Sequence, residues 1–272
     1  MQTILLERYH FVSRYNCLKP CLLILLLFSV LLTPSLSTTL PDCDRAFACG
    51  SLQNITYPFT GGARPPTAAC PRNRPASCGH PNFGLDCQSQ APLITINSIA
   101  SRVLSIHIST RTLTVARVEF WNNPCPSPTH HMNPAQDTAH FAYSNDSQNV
   151  MIYYGCPALP SVMPPNQFSC ITDGITTASY FVITSAGEVP DSGCTSSIVV
   201  HVNQAVAQGL MSVPPSITIT EVLDRGFGLR WDTNDTICSE CVQSGGVCGS
   251  GSGYVFACLC PAEVYPEACN ST

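Results

Sequence analysis

Cysteine is the residue type whose number and spacing could do most chemistry in this chain. Seventeen occur among 272 residues. Fifteen lie beyond residue 37: Cys43, Cys49, Cys70, Cys78, Cys87, Cys125, Cys156, Cys170, Cys194, Cys238, Cys241, Cys248, Cys258, Cys260 and Cys269. In an oxidising compartment such a set is a disulfide framework, whose pairing spacing alone does not give. The number is odd, so one thiol is left free or bonds another chain. Cys70 is that candidate, because it sits in the Pro/Arg-rich stretch from Ala63 to Ala76; the other fourteen are expected in bridges. Cys238-x2-Cys241 followed by Cys258-x-Cys260 imitates a zinc ribbon, but the second pair has the wrong spacing for a tetrahedral thiolate site. No metal or other cofactor is expected.

Catalytic constellations are missing from the sequence. Gly249-Ser-Gly-Ser-Gly253 places Gly251 where a nucleophile elbow needs serine. Asp86 and Glu119 are the central acids of the first half, and nothing pairs them as glycoside hydrolysis requires. His130-His131 lies among prolines without a metal-ligand partner at helical spacing. The chain reads as a binding protein, not an enzyme. N-glycosylation sequons stand at Asn54, Asn145, Asn234 and Asn270.

The elements that must position these residues follow from patterning. Arg8, Arg14 and Lys19 precede an apolar run from Leu22 to Leu32, broken by Pro34, with Ser35 and Ser37 placed for cleavage. Residues 1–37 read as a signal peptide, which sends the product to the extracellular space or cell wall. A membrane location is expected only if a longer form carries a transmembrane helix. Downstream, Leu93–Asn97, Val103–Ile108 and Leu113–Phe120 read as strands, with 109–112 as a hairpin link. A second set comprises Val150–Tyr154, Ala178–Thr184, Ile198–Val202 and Ile217–Val222. Only Asn203–Met211 looks helical. The fold class is therefore all-β, as two disulfide-rich β modules with a Cys/Gly-dense C-terminal tail. The modules are expected at 38–125 and 150–272, joined by a Pro-rich linker at 126–149, with a further boundary near Asp232. Gly79 and Gly84 are expected in turns with positive φ.

Beyond residue 37 there are nine Arg against sixteen Asp and Glu, a net charge of −7. Residues 38–150 carry +1 and residues 151–272 carry −8. No clustered Lys/Arg field exists for nucleic acid.

Several segments together resemble a known family. They are Cys43-x5-Cys49-Gly50, Ile55-Thr-Tyr57-Pro58-Phe59, Cys78-Gly-His-Pro-Asn-Phe-Gly-Leu-Asp-Cys87, and the strand pair with Cys125. These resemble the galacturonan-binding module of plant wall-associated receptor kinases. Gly226-Phe-Gly-Leu-Arg-Trp231, Cys238-x2-Cys241, Ser244-Gly-Gly-x-Cys248-Gly249 and Phe256-x-Cys258-x-Cys260 are similar to that family's C-terminal domain. The order of the two resembles the ectodomains of leaf-rust-resistance-type receptor-like kinases. No Gly-rich phosphate loop, His-Arg-Asp or Asp-Phe-Gly is present, so kinase chemistry is not expected of these residues.

The resemblance implies binding of pectin or polygalacturonate, a polyanion with one carboxylate per sugar. Such a ligand calls for Arg forks, aromatic faces and hydroxyl partners. The candidates are Arg64, Arg72, Arg74 and His80 in the loop region, Arg102, Arg111 and Arg117 on or beside the strand pair, and Trp121 as a ring face. Tyr57 and Phe59 read as core. The expected partners are an oligogalacturonide and a receptor co-component. The competing readings are a disulfide-rich protein-recognition or defence module and the truncated ectodomain of a membrane receptor kinase.

Overall fold

Short runs of Val, Ile, Thr and aromatic residues, bounded by Gly, Pro and Asn, form strands because branched and aromatic side chains suit a pleated, half-buried surface. A computed structural model describes residues 43–62, 76–88, 90–127, 140–157, 166–172, 174–184, 193–233, 235–251 and 255–269. The protein is mainly β. Strands β1 (Phe47–Cys49) and β2 (Leu52–Ile55) form a small antiparallel ribbon. A seven-stranded sheet follows, containing β3 (Thr60–Gly62), β4 (Gly84–Asp86), β5 (Leu93–Ile96), β6 (Ile99–His107), β7 (Thr112–Arg117), β8 (Phe141–Tyr143) and β13 (Phe227–Trp231). Its order is β3-β4-β5-β6-β7-β13-β8. The pairing is antiparallel except between β3 and β4. Its core includes Phe59, Phe83, Ile94, Val103, Val115, Phe141 and Trp231.

A four-stranded antiparallel sheet holds β9 (Ser147–Cys156), β10 (Gln167–Thr172), β11 (Ile175–Thr184) and β12 (Ser196–Asn203), in the order β10-β11-β9-β12. Val150, Ile152, Phe181, Ile198, Val200 and Val202 form its main core. Against them pack the short helix α1 (Gln204–Ala207), the 3-10 turn after it and helix α2 (Ile219–Arg225). The tail contains α3 (Asp235–Gln243) and a three-stranded sheet of β14 (Val247–Ser250), β15 (Phe256–Leu259) and β16 (Val264–Tyr265).

Seven disulfides pair Cys43–Cys78, Cys49–Cys87, Cys125–Cys170, Cys156–Cys194, Cys238–Cys248, Cys241–Cys258 and Cys260–Cys269. These use the fourteen cysteines expected in bridges. Cys70 lies outside the described residues. The sulfurs of Cys258, Cys260 and Cys269 lie within 4.8 Å of one another because two bridges pack together. The tail's interior is built from its bridges, with Tyr57, Phe256 and Tyr265 against them.

Helix α3 stands in a tail where no helix was expected, and three further features depart from the sequence reading. Ile217–Val222, expected as a strand, leads into α2. Thr218 accepts from the Glu221 backbone N–H at 3.2 Å, and the Glu221 carboxylate accepts from the Thr218 backbone N–H at 2.8 Å, a capping box that starts a helix. Ile219, Val222 and Leu223 then fall at helical spacing into the core. Second, β8 and the first residues of β9 lie within 126–149, the stretch expected as linker, and β13 comes from beyond it to sit between β7 and β8. Gly226 permits that insertion: its φ is 65°, and any side chain there would strike the Val115 carbonyl. Third, Gly79 and Gly84 are not positive-φ turns. Gly84 has a φ of −70°. Gly79 is required instead by close packing, since a Cβ would collide with Thr60 and approach the Pro58 carbonyl at 2.6 Å.

Candidate polyanion site

The hairpin β6–β7 brings Arg102 opposite Ala116, and the chain leaves β7 through a 3-10 turn at Val118–Phe120. Phe120 anchors this turn in the core of the four-stranded sheet. Trp121 follows and sits half-buried. The Arg102 guanidinium lies over the Trp121 ring, 3.9 Å from its centroid, a cation–π stack.

The segment carrying Trp121 is fastened at several points. Its backbone N–H donates to the Val118 carbonyl at 3.2 Å, and that of Asn123 to Phe120 at 3.1 Å. The Tyr154 hydroxyl donates to the Pro124 carbonyl at 2.8 Å. Asn123 Oδ1 accepts from the Cys125 N–H at 2.9 Å, and Cys125 is bridged to Cys170 of β10. The Asn122 backbone N–H donates to Asp224 Oδ1 of α2 at 2.8 Å. The Asn122 carboxamide is satisfied when its oxygen accepts from Trp121 Nε1 at 2.8 Å and its nitrogen donates to Asp224 Oδ2 at 3.2 Å.

The other arginines of the strand pair are committed within the fold. Arg117, expected to face a ligand, is instead buried, with a side chain 4% exposed. Its Nε donates to Glu119 Oε1 at 2.6 Å, and its guanidinium lies 5.1 Å from the Phe120 ring centroid. Burying a guanidinium demands a partner charge, which Glu119 provides. Arg111 occupies the hairpin turn and pairs with Asp235 of α3. Arg102 is different: among the described residues its guanidinium makes no ion pair or hydrogen bond, and its Nε is enclosed without an acceptor. Arg111 is also remote from it, on the order of 17 Å along the hairpin at strand rise. Arg64, Arg72 and Arg74 lie outside the described residues.

His80 does not join Arg102. It caps the 3-10 turn Pro81–Phe83, its Nδ1 facing the Asn82 N–H at 3.4 Å, and its ring meets His140 at 4.5 Å between centroids. Burial, and then the neighbouring His140, push its pKa down to about 4. Phe59 is fully buried among Phe83 and Trp231, as its core reading required. Burial, helped by Asp235, pushes the Tyr57 hydroxyl up to about 12. Asn54 and Asn145 are exposed; Asn234 and Asn270 lie outside the described residues. Sequence reasoning missed Asn122, Asp224 and the role of Glu119. Glu119 stands two residues from Arg117, a local signal, whereas Asp224 is 102 residues from Asn122 and gave none.

Residues 43–117 match the family described as wall-associated receptor kinase galacturonan-binding, and residues 169–263 match wall-associated receptor kinase C-terminal. Both wall-associated receptor kinase domains are present in this chain. Among curated relatives it is similar to three Arabidopsis thaliana proteins named leaf rust 10 disease-resistance locus receptor-like protein kinase-like. With number 2.1 it shares 26% identity, covering 84% of this chain and 35% of that protein. With number 2.4 it shares 29%, covering 86% and 35%, and with number 1.3 it shares 28%, covering 76% and 27%. The chain thus spans about a third of these relatives, the part outside their kinase. No solved structure matches. Among the described residues no helix is long and apolar enough to cross a membrane. Arg102 falls inside the galacturonan-binding match, Asp224 inside the C-terminal match, and Trp121 and Asn122 between them.

Proposed function

We propose that this wall-associated receptor kinase ectodomain binds acidic cell-wall polysaccharide of the polygalacturonate type, outside the cell and without catalysis. The observation that carries the reading is the state of Arg102: stacked on Trp121, with no carboxylate or carbonyl among the described residues to satisfy it. A guanidinium held 3.9 Å over a ring centroid has lost much of its rotational freedom before any ligand arrives. Its Nη groups can then donate to a uronate carboxylate with little further ordering. The indole flank beside it offers a face to the sugar ring. The galacturonan-binding match over residues 43–117 points to the same ligand class.

Arg64, Arg72 and Arg74 extend this reading as further contacts along a polymer, and a receptor co-component remains its proposed protein partner. The test is calorimetric titration of the purified glycoprotein with de-esterified oligogalacturonides and with neutral glucan oligomers. Saturable binding of the acidic oligomer alone supports the reading; no binding to any pectin fragment refutes it.

A further inference from the structure

We propose that Asp224 of α2 is a positioning residue for the Arg102–Trp121 site, acting through Asn122; this rests on the polygalacturonate reading above. Its two carboxylate oxygens take different donors from one residue. Oδ1 accepts from the Asn122 backbone N–H at 2.8 Å, and Oδ2 accepts from the carboxamide nitrogen at 3.2 Å in the amide orientation that satisfies both side chains. With its nitrogen so committed, the carboxamide must turn its oxygen to the Trp121 indole N–H, 2.8 Å away. The indole has one polar atom, and this contact fixes the rotation of the ring on which the guanidinium rests. Asn122 itself is held at a φ of 56°, a left-handed conformation that asparagine tolerates and that its paired N–H helps maintain.

The chain of contacts therefore runs from a helix of the C-terminal domain, through a residue between the domains, to a cation of the galacturonan-binding domain. Neither domain holds the site alone. Without the carboxylate, the carboxamide is free to rotate, the indole loses its acceptor, and the guanidinium loses its fixed shelf. Ordering must then occur on binding, which weakens it.

The test uses the full chain in wild-type, D224A and D224N forms, with a de-esterified oligogalacturonide as probe. The sequence has two tryptophans, Trp121 and Trp231, so the indole N–H region of a 15N-correlated spectrum has two resonances, assigned with W121F. In D224A the Trp121 resonance is expected to move while that of Trp231, in the core, stays. Affinity should fall about tenfold, as loss of hydrogen bonds to a charged acceptor implies. D224N keeps one acceptor oxygen and should lie between, and it serves if D224A does not fold. A D224A or D224N chain that binds as tightly as wild type, whatever its spectrum, overturns the proposal. A wild-type chain that binds no oligogalacturonide overturns the polygalacturonate reading instead, and the Trp121 resonance still decides whether Asp224 sets the ring.

Discussion

Arg102, Arg111 and Arg117 are the same residue type within one hairpin, yet only their surroundings distinguish their roles. Glu119 takes Arg117, Asp235 takes Arg111, and Trp121 leaves the donors of Arg102 uncommitted. Residue type and strand placement made all three candidates in the sequence. What separates them is acids brought near by the fold, and of these only Glu119 is adjacent in sequence. Because the stack and the donor fork both need a planar guanidinium, R102K should lose affinity for oligogalacturonide nearly as fully as R102A, by about tenfold or more, measured by calorimetry. Two imidazoles yield a second prediction. His80, through burial and His140, and His201, through burial and Arg117, both have pKa values pushed down from 6.5 to about 4. His201 is stacked on Tyr143 at 3.5 Å and is 3.4 Å from the Ser147 hydroxyl. The unfolded chain therefore binds protons that the fold refuses as pH falls from 6.5 to about 4. Stability is fully present above that window, falls through it, and reaches its floor below it. Melting temperature followed from pH 7 to about 4 should decline, and the H80N/H201Q double variant should decline less steeply. An unchanged slope would contradict the assignment.

At the scale of elements, β5, β6, β7, β9, β11 and β12 were legible because alternation and β-branching persist through them, whereas β3, β4, β8, β10 and β13 were not. The helix α2 was not, because Ile217-Thr-Ile-Thr220 is β-branched while the deciding signal is Thr218 three residues before Glu221. T218A should cost the protein about 1 kcal/mol in denaturant unfolding by removing that cap. The strands β8 and β13 are short, three and five residues, and their pairing with each other is set by distant contacts. Gly226 makes the β13 insertion possible at a φ no side chain favours. G226A should therefore be destabilised by at least about 2 kcal/mol, more than an exposed Gly→Ala change, as read from the midpoint of chemical unfolding. A midpoint equal to wild type would show that the β7–β13 approach relaxes freely.

At the scale of the whole molecule, two family-like segments were legible in the sequence, while strand order interleaves them and the stretch expected as linker contributes β8. Residues 43–117 carry β3 to β7 but lack β13, which covers the β7 edge and supplies Phe227, Leu229 and Trp231 to the core. That exchange was illegible because no local pattern says which sheet a strand will join. A fragment limited to 43–117 should therefore show poor spectral dispersion and scrambled disulfides, whereas 43–269 should not, as mass mapping and NMR would reveal. The same interleaving brings Asp224 to Asn122 and so joins the two domains at the candidate site. Titration of the wild-type and R102A proteins with a de-esterified oligogalacturonide at low and raised salt decides whether Arg102 holds the ligand. Wild-type binding is expected to weaken as salt screens the carboxylates, with affinity and salt dependence both reduced in R102A. Binding that R102A leaves untouched, or that ignores salt, would contradict that expectation.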